Sequence, residues 1–224
     1  MDLGLTAQLT QSIHQASGLL SVHVALSGPF AAPELFGEAR IDDATIVARG
    51  RSLKQSQAAM FASIQQRYGV PPGPLLAIWG METGFGAVKG NVNTLSAVAT
   101  LAYDCRRSEM FRAELIDALK IVDRGDMRPA AMKGAWAGEL GQTQFMPSSW
   151  LKYAVDFDGD GKRDLIKSVP DVLASTANLL HTSGFKMGQP FGEGTANFQA
   201  MREWNRSEVY RKTIGYFAEQ LMGR

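Results

Sequence analysis

From Arg40 to Arg67 apolar side chains fall at Ile41, Ile46, Val47, Leu53, Met60, Phe61 and Ile64. Spacings near three and four predict one or two amphipathic helices there. The segment Gly69-Val70-Pro71-Pro72-Gly73-Pro74 breaks the pattern and restarts it, because proline is tolerated only in a helix's first turn. Leu75 to Met81 is apolar on nearly every face, which predicts a helix at the centre of a domain, ended by Gly84 and Gly86. Further helices are predicted over Leu95 to Tyr103, Phe111 to Val122, Val169 to Leu180 and Asn197 to Met222, the last broken near Asn205-Arg206-Ser207. Alternating strand patterns are scarce, leaving room for a small hairpin around residues 84 to 94 or in the Gly-rich piece from Gly184 to Gly194. The fold class expected is mainly α.

Composition narrows the class. The 224 residues fit one domain with a small appendage, read here as a poorly specified N-terminal arm over residues 1–39 and one folded domain over residues 40–224. Lys plus Arg is 23 and Asp plus Glu is 22, a net charge of +1, so no bulk field draws the chain to nucleic acid or anionic lipid. No apolar run approaches the ~20 residues of a membrane span. A secretory signal needs a basic start, and the first basic residue is Arg40. The single cysteine, Cys105, excludes an intrachain disulfide or a Cys-rich zinc site; a small buried residue is expected there. His14, His23 and His181 are scattered and no G-x-S-x-G occurs, so a serine or cysteine nucleophile lacks support.

Glu82 follows seven apolar or small residues and precedes Thr83-Gly84-Phe85-Gly86. At the C-terminal end of a buried helix, desolvation disfavours its carboxylate and the negative end of the helix dipole repels it. A carboxylic acid held neutral near pH 7 is what a general acid for glycosidic oxygen requires; a hydrogen-bonded structural Glu is the competing reading. The segment Gly138 to Trp150 mixes glycines, Gln142, Gln144, Phe145 and Trp150. That mixture suits a carbohydrate groove, and equally a polar loop with a serine cap at Ser148 or Ser149.

Ala77-Ile78-Trp79-Gly80-Met81-Glu82-Thr83-Gly84-Phe85-Gly86, Gly141-Gln142-Thr143-Gln144-Phe145-Met146-Pro147-Ser148-Ser149 and Tyr153-Ala154-Val155-Asp156-Phe157-Asp158-Gly159-Asp160-Gly161 together resemble the lytic murein transglycosylase B family, in one order over about residues 40 to 224. The resemblance implies a lysozyme-like α domain of the goose-type kind and cleavage of the β-1,4 bond between N-acetylmuramic acid and N-acetylglucosamine in peptidoglycan. It makes Glu82 the single acid and later base, yielding a 1,6-anhydro end with no cofactor for the chemistry. It also implies a periplasmic monomer whose partner is the glycan strand. By the same resemblance Gln144 bonds near the carboxyl and sugar and Tyr103, Arg106 and Arg107 line the groove, while Phe145 and Trp150 are expected, from the residue mixture itself, to offer ring faces to a sugar. Asn205 closes the site beside Trp204, which stands where a tyrosine is commoner, so a phenolic hydrogen bond is expected to be lost. Glu139 lies where many relatives have a small residue, and the short link from Gly188 to Asn197 marks a short form of the family. A lysozyme-type hydrolase, with Glu139 or Asp104 assisting, and a non-catalytic glycan-binding module remain the alternatives.

Asp156-Phe157-Asp158-Gly159-Asp160-Gly161-Lys162 reproduces the start of an EF-hand loop: oxygen ligands at positions one, three and five, glycine at six, a backbone carbonyl at seven. Position twelve is Lys167 rather than Glu; the resembling family takes its last carboxylate from the following helix, where Asp171 matches. A structural Ca²⁺ or Na⁺ held by Asp156, Asp158, Asp160, Lys162 and Asp171 is the expectation, against an empty loop of Asx turns.

Overall fold

The computed structural model describes residues 8–15, 18–27, 34–41 and 44–223. Within the expected N-terminal arm, three strands form an antiparallel meander in the order β1 (Gln8–Gln15), β2 (Gly18–Ser27) and β3 (Glu34–Ile41). In sequence, Leu20, Val22, Val24 and Leu26 recur at every second position of β2. The rest of the arm, residues 1–7, 16–17 and 28–33, lies outside the described residues.

The helices follow the predicted stretches. Arg40 to Arg67 becomes α1 (Ala44–Ser56) and α2 (Ala58–Tyr68), and α3 (Pro72–Thr83) is the central helix. Then come α4 (Thr94–Tyr103), α5 (Ser108–Asp123), α6 (Pro147–Tyr153), α7 (Val169–Thr182), α8 (Ala196–Ala200) and α9 (Glu208–Met222). Helix α6, seven residues starting at a proline, is too short to leave a periodic signal. The hairpin expected within 84–94 is instead a long-range pair: β4 (Val92–Asn93) joins β5 (Lys133–Gly134). No strand forms between Gly184 and Gly194.

Helix α3 owes its position to its lack of a polar face. Leu75, Leu76, Ala77 and Ile78 are fully buried, each larger side chain contributing about 1.5–3 kcal/mol when taken out of water. Its glycines let α9 approach closely. A Cβ on Gly80 would stand 2.9 Å from Phe217, and one on Gly73 2.9 Å from Met222. Helices α1 and α7 also pack on α3, while α5 bridges α4 and α6. This layering carries the C-terminal end of α3 to a surface shared with α9 and with the loops on either side of β5.

Candidate active site

Helix α3 ends in a left-handed turn. Gly84 (φ 58°) donates its N–H to the carbonyl of Gly80, and the Phe85 N–H reaches Trp79 O at 3.1 Å, a hydrogen-bonded cap of the kind that closes helices at glycine. Thr83, fully buried, donates its hydroxyl to Gln142 O at 2.5 Å and accepts the Gly86 N–H at 2.9 Å. Trp79 Nε1 donates to Gln142 Oε1 at 2.9 Å, and Gln142 Nε2 donates to Ile166 O at 3.0 Å. Glu82 is thereby fixed on a helix end whose neighbours are satisfied by the Gln142 segment.

The Glu82 carboxyl is largely buried and its pKa is pushed up to about 7, first by desolvation. Two donors oppose that rise: the Tyr210 hydroxyl, which hydrogen-bonds Glu82 Oε1, and the Trp204 side chain. The charge of Glu139 raises it further. Tyr210 is itself held far above the ordinary phenol range, by burial and then by the adjacent carboxyl, so its hydroxyl stays a donor. The site therefore places a proton-bearing acid, poised at neutral pH, beside a fixed neutral donor.

Tyr210 answers one expectation. The phenolic hydrogen bond expected to be lost at Trp204 is present in another form: the Tyr210 hydroxyl reaches the acid from α9, 128 positions along the chain. The Ser207 side chain caps α9 by accepting the Tyr210 N–H at 3.3 Å, which orients that first turn. Tyr210 did not stand out in the sequence, and Gln142 stood out only as part of the glycine–glutamine mixture, without a role of its own. Tyr210 shares the apolar stripe of Ile214, Phe217 and Leu221 and reads as core; Gln142 sits two residues from Gln144, which attracted the role.

The other predicted residues separate into groups. Gln144, at φ 55°, donates from Nε2 to Gly141 O at 2.7 Å and to Lys89 O at 3.3 Å, and no hydrogen bond among the described residues joins it to Glu82. Phe145 and Trp150 are 2% and 0% exposed, so they are core residues rather than open ring faces. Phe145 is folded inward by its paired backbone bonds with Leu140, at 2.7 and 2.8 Å, and packs against Trp204 with ring centroids 5.5 Å apart. Asn205 Oδ1 accepts the Ser207 N–H at 2.9 Å. Tyr103 stands almost wholly in solvent, and Cys105 is exposed, not buried, because the α4–α5 turn turns outward.

Arg106 and Arg107 lie on a cleft of about 330 Å³. Leu101, Phe111 and Ala137 form its apolar lining, Trp136 its edge, and Asp104 and Glu139 its acidic groups. Trp136 and Glu139 belong to a tight reversal in which Ala135 N–H reaches Glu139 O at 3.1 Å and Gly134 bridges to Leu140.

In the acidic loop, carboxylate oxygens of Asp156, Asp158 and Asp160 lie within 4.8 Å of one another. An all-oxygen donor set of this kind fits a hard cation. Asp171 does not join that cluster. Fully buried, it takes the N–H groups of Phe157 at 2.7 Å, Asp164 at 2.9 Å and Asp158 at 3.4 Å, and burial holds its carboxyl above the usual range. The loop's amides do for Asp171 what a cation would do elsewhere.

Comparison with known proteins agrees with this geometry. The family model described as Transglycosylase SLT domain matches residues 36–194. The chain is 43% identical over 124 residues to the membrane-bound lytic murein transglycosylase B of Escherichia coli (strain K12), a match covering 55% of this chain and 34% of that protein. It thus spans about a third of that relative's length. Among solved structures, SltB3 from Pseudomonas aeruginosa in complex with NAG-NAM-pentapeptide superimposes with TM-score 0.77 at 33% identity, over 81% of this chain and 65% of that one. The Escherichia coli lytic transglycosylase SLT35 in complex with calcium gives TM-score 0.74 at 27% identity, over 80% and 75% of the two chains. A family model that covers residues 36–194 and solved transglycosylases that share this lysozyme-like arrangement of helices show that the chain belongs to the SLT-domain transglycosylase family.

Proposed function

We propose that the protein is a peptidoglycan lytic transglycosylase cleaving the bond between N-acetylmuramic acid and N-acetylglucosamine, with Glu82 as acid and then base. The observation that carries this reading is the Glu82 carboxyl, held near pH 7 by burial at the end of α3 and touched by the Tyr210 hydroxyl. Protonated Glu82 gives its proton to the glycosidic oxygen as the C1–O bond breaks, with the substrate's own N-acetyl group assisting at C1. The carboxylate left behind takes the proton of the muramic acid 6-hydroxyl, whose oxygen closes on C1. One bond breaks, one forms, Glu82 regains its proton and no water is consumed. The sequence of steps needs no second carboxylate as nucleophile, unlike the usual two-carboxylate glycosidases, and no cofactor. Tyr210 and Trp204 hold the carboxyl and steady its charged form between the two transfers. The periplasmic peptidoglycan is the proposed place of action, and a single copy carries the whole constellation; no helix among the described residues is long and apolar enough to cross a membrane.

A second reading is favoured by one observation: the charge of Glu139 raises the Glu82 pKa, so a second carboxylate stands near enough to act on the acid, as the base that activates water in a lysozyme-type hydrolase does. Digestion of purified sacculi followed by mass spectrometry separates the two, since hydrolysis adds the mass of water to each product. Glu82→Gln is expected to lower anhydro-product release by about 10²–10⁴-fold with the fold retained. Undiminished release overturns the assignment, and binding to sacculi without any product points to a non-catalytic module.

We further propose that Asp156, Asp158 and Asp160, with the carbonyl of Lys162, hold Ca²⁺ as a structural ion. The cluster of three carboxylates supports this, as does the calcium complex of the SLT35 relative. When bound, the ion would neutralise the repulsion among these carboxylates; Asp171 ties the loop to α7 through backbone amides.

A further inference from the structure

The cleft lined by Glu139, whose charge reaches the Glu82 carboxyl, carries two charges of opposite sign that have no ion-pair partner among the described residues. Asp104 and Arg106 answer each other at 3.2 Å. Arg107 and Glu139, which also line the cleft, have no ion-pair partner among the described residues. Glu139 is half-buried and lines the cleft, and its one side-chain hydrogen bond among the described residues comes from the Ala137 N–H to Oε2 at 3.1 Å. That bond, inside the reversal after β5, holds the carboxylate at the cleft wall. A carboxylate on a cleft wall without a counter-charge of its own attracts a cation that enters the cleft. Trp136, 73% exposed, stands at the edge of the same cleft, and an indole face favours a cation close by.

We propose that Glu139 is a specificity-determining residue that accepts a free ammonium group carried by the peptide of the glycan, while Arg107 takes the carboxylate of the same amino-acid end. The occupant is thus a small zwitterion, an ammonium and a carboxylate on one carbon, as at the distal end of a diamino acid. A cleft of about 330 Å³ has room for such a group, and the planar guanidinium matches a carboxylate in a two-point contact. This rests on the peptidoglycan reading above and extends it from the sugar bond to the peptide.

The test uses chains of N-acetylmuramyl–N-acetylglucosamine units whose peptides carry a diamino acid, in one preparation with its distal amine free and in another with that amine acetylated. The wild-type protein is expected to show a kcat/KM roughly tenfold higher on the free-amine chains. In Glu139→Gln, whose shape is retained, the ratio is expected to collapse to about one; a third preparation, with the neighbouring carboxylate amidated, is expected to be cleaved roughly tenfold less well than the free-carboxylate chains by the wild type and equally well by Arg107→Gln. Equal rates on both chains in the wild type, or a preference that survives Glu139→Gln, overturn the proposal. Peptide-free chains with de-N-acetylated glucosamine form a further arm: a preference for those that depends on Glu139 would overturn the peptide assignment in favour of a sugar amine. Binding of the same chains to Glu82→Gln protein, measured by calorimetry, separates the two readings. Discrimination in binding without any cleavage by the wild type would sink the catalytic reading and leave this one standing.

Discussion

At the residue scale, the chemistry of Glu82 is a balance of opposed neighbours. Burial raises its pKa to about 7, the Glu139 charge adds to that rise, and the hydroxyl of Tyr210 and the side chain of Trp204 pull it down. The signs make Tyr210→Phe and Glu139→Gln informative as a pair. Removing the Tyr210 donor takes away a stabiliser of the carboxylate, so the acid stays protonated to higher pH. The alkaline limb of kcat/KM, which reports the loss of that proton, is expected to move up by roughly one pH unit. Removing the Glu139 charge moves the same limb down. A pH–rate profile on sacculi reads both, and a Tyr210→Phe limb that shifts downward would contradict the assigned direction of the hydrogen bond. Glu82 could be singled out from the sequence because an acid amid seven apolar or small residues is locally anomalous. Tyr210 could not, because a tyrosine on an apolar helical stripe is locally ordinary and only the packing of α9 on α3 brings it to the acid.

At the element scale, the end of α3 is built by a turn and a loop that fit no other way. Gly86 has φ 79°, and a Cβ there would stand 2.2 Å from Gln142 Oε1, the atom that accepts the Trp79 indole N–H. Gly86→Ala therefore combines a strained backbone with the loss of a buried hydrogen bond. About 2–3 kcal/mol of stability is expected to go, measured by urea unfolding, and activity at 25 °C should fall further than the folded fraction does, because Glu82 loses its brace. An unchanged midpoint would show that the turn relaxes around the methyl group. The helices α4, α5 and α7 were readable because each carries ten or more residues with apolar positions at helical spacing, and α3 because its run is apolar on nearly every face after a proline start. What escaped was α6, with seven residues, β4, whose partner β5 lies about forty positions away, and the local meander β1–β3 in the stretch read as a poorly specified arm. Phe145 and Trp150 misled for a related reason. Aromatic residues among glycines and glutamines suggest an open sugar face, but the Leu140–Phe145 pairing turns one inward and α6 packs the other into the core.

At the scale of the whole molecule, the acidic loop is mechanically continuous with the acid. Leu165 O accepts the Gln142 N–H at 2.9 Å and Ile166 O accepts its side-chain amide, so the loop that follows the Asp cluster holds the residue that braces Trp79 and Thr83. Its other end is tied to α7 by Asp171 and by Ser175, which accepts the Val155 N–H at 3.0 Å, and Asp158 takes the Ser168 hydroxyl at 2.6 Å. A cation at Asp156, Asp158 and Asp160 binds the folded loop and not the unfolded chain, so its free energy adds to stability. At a hundredfold excess over Kd the gain is about 2.7 kcal/mol, a rise in Tm of roughly 5–10 °C for a chain of this size. Melting in Ca²⁺ against melting in chelator measures it, and Asp156→Asn with Asp160→Asn should abolish the difference while leaving the chelated Tm nearly in place, since removing carboxylates also removes their repulsion. The chemistry itself touches no metal in the proposed steps, so chelation well below the melting temperature should lower activity only as far as the Gln142 brace loosens. An identical Tm in Ca²⁺ and chelator would make the loop a set of backbone-satisfied turns, with Asp171 and its amides sufficient to hold it.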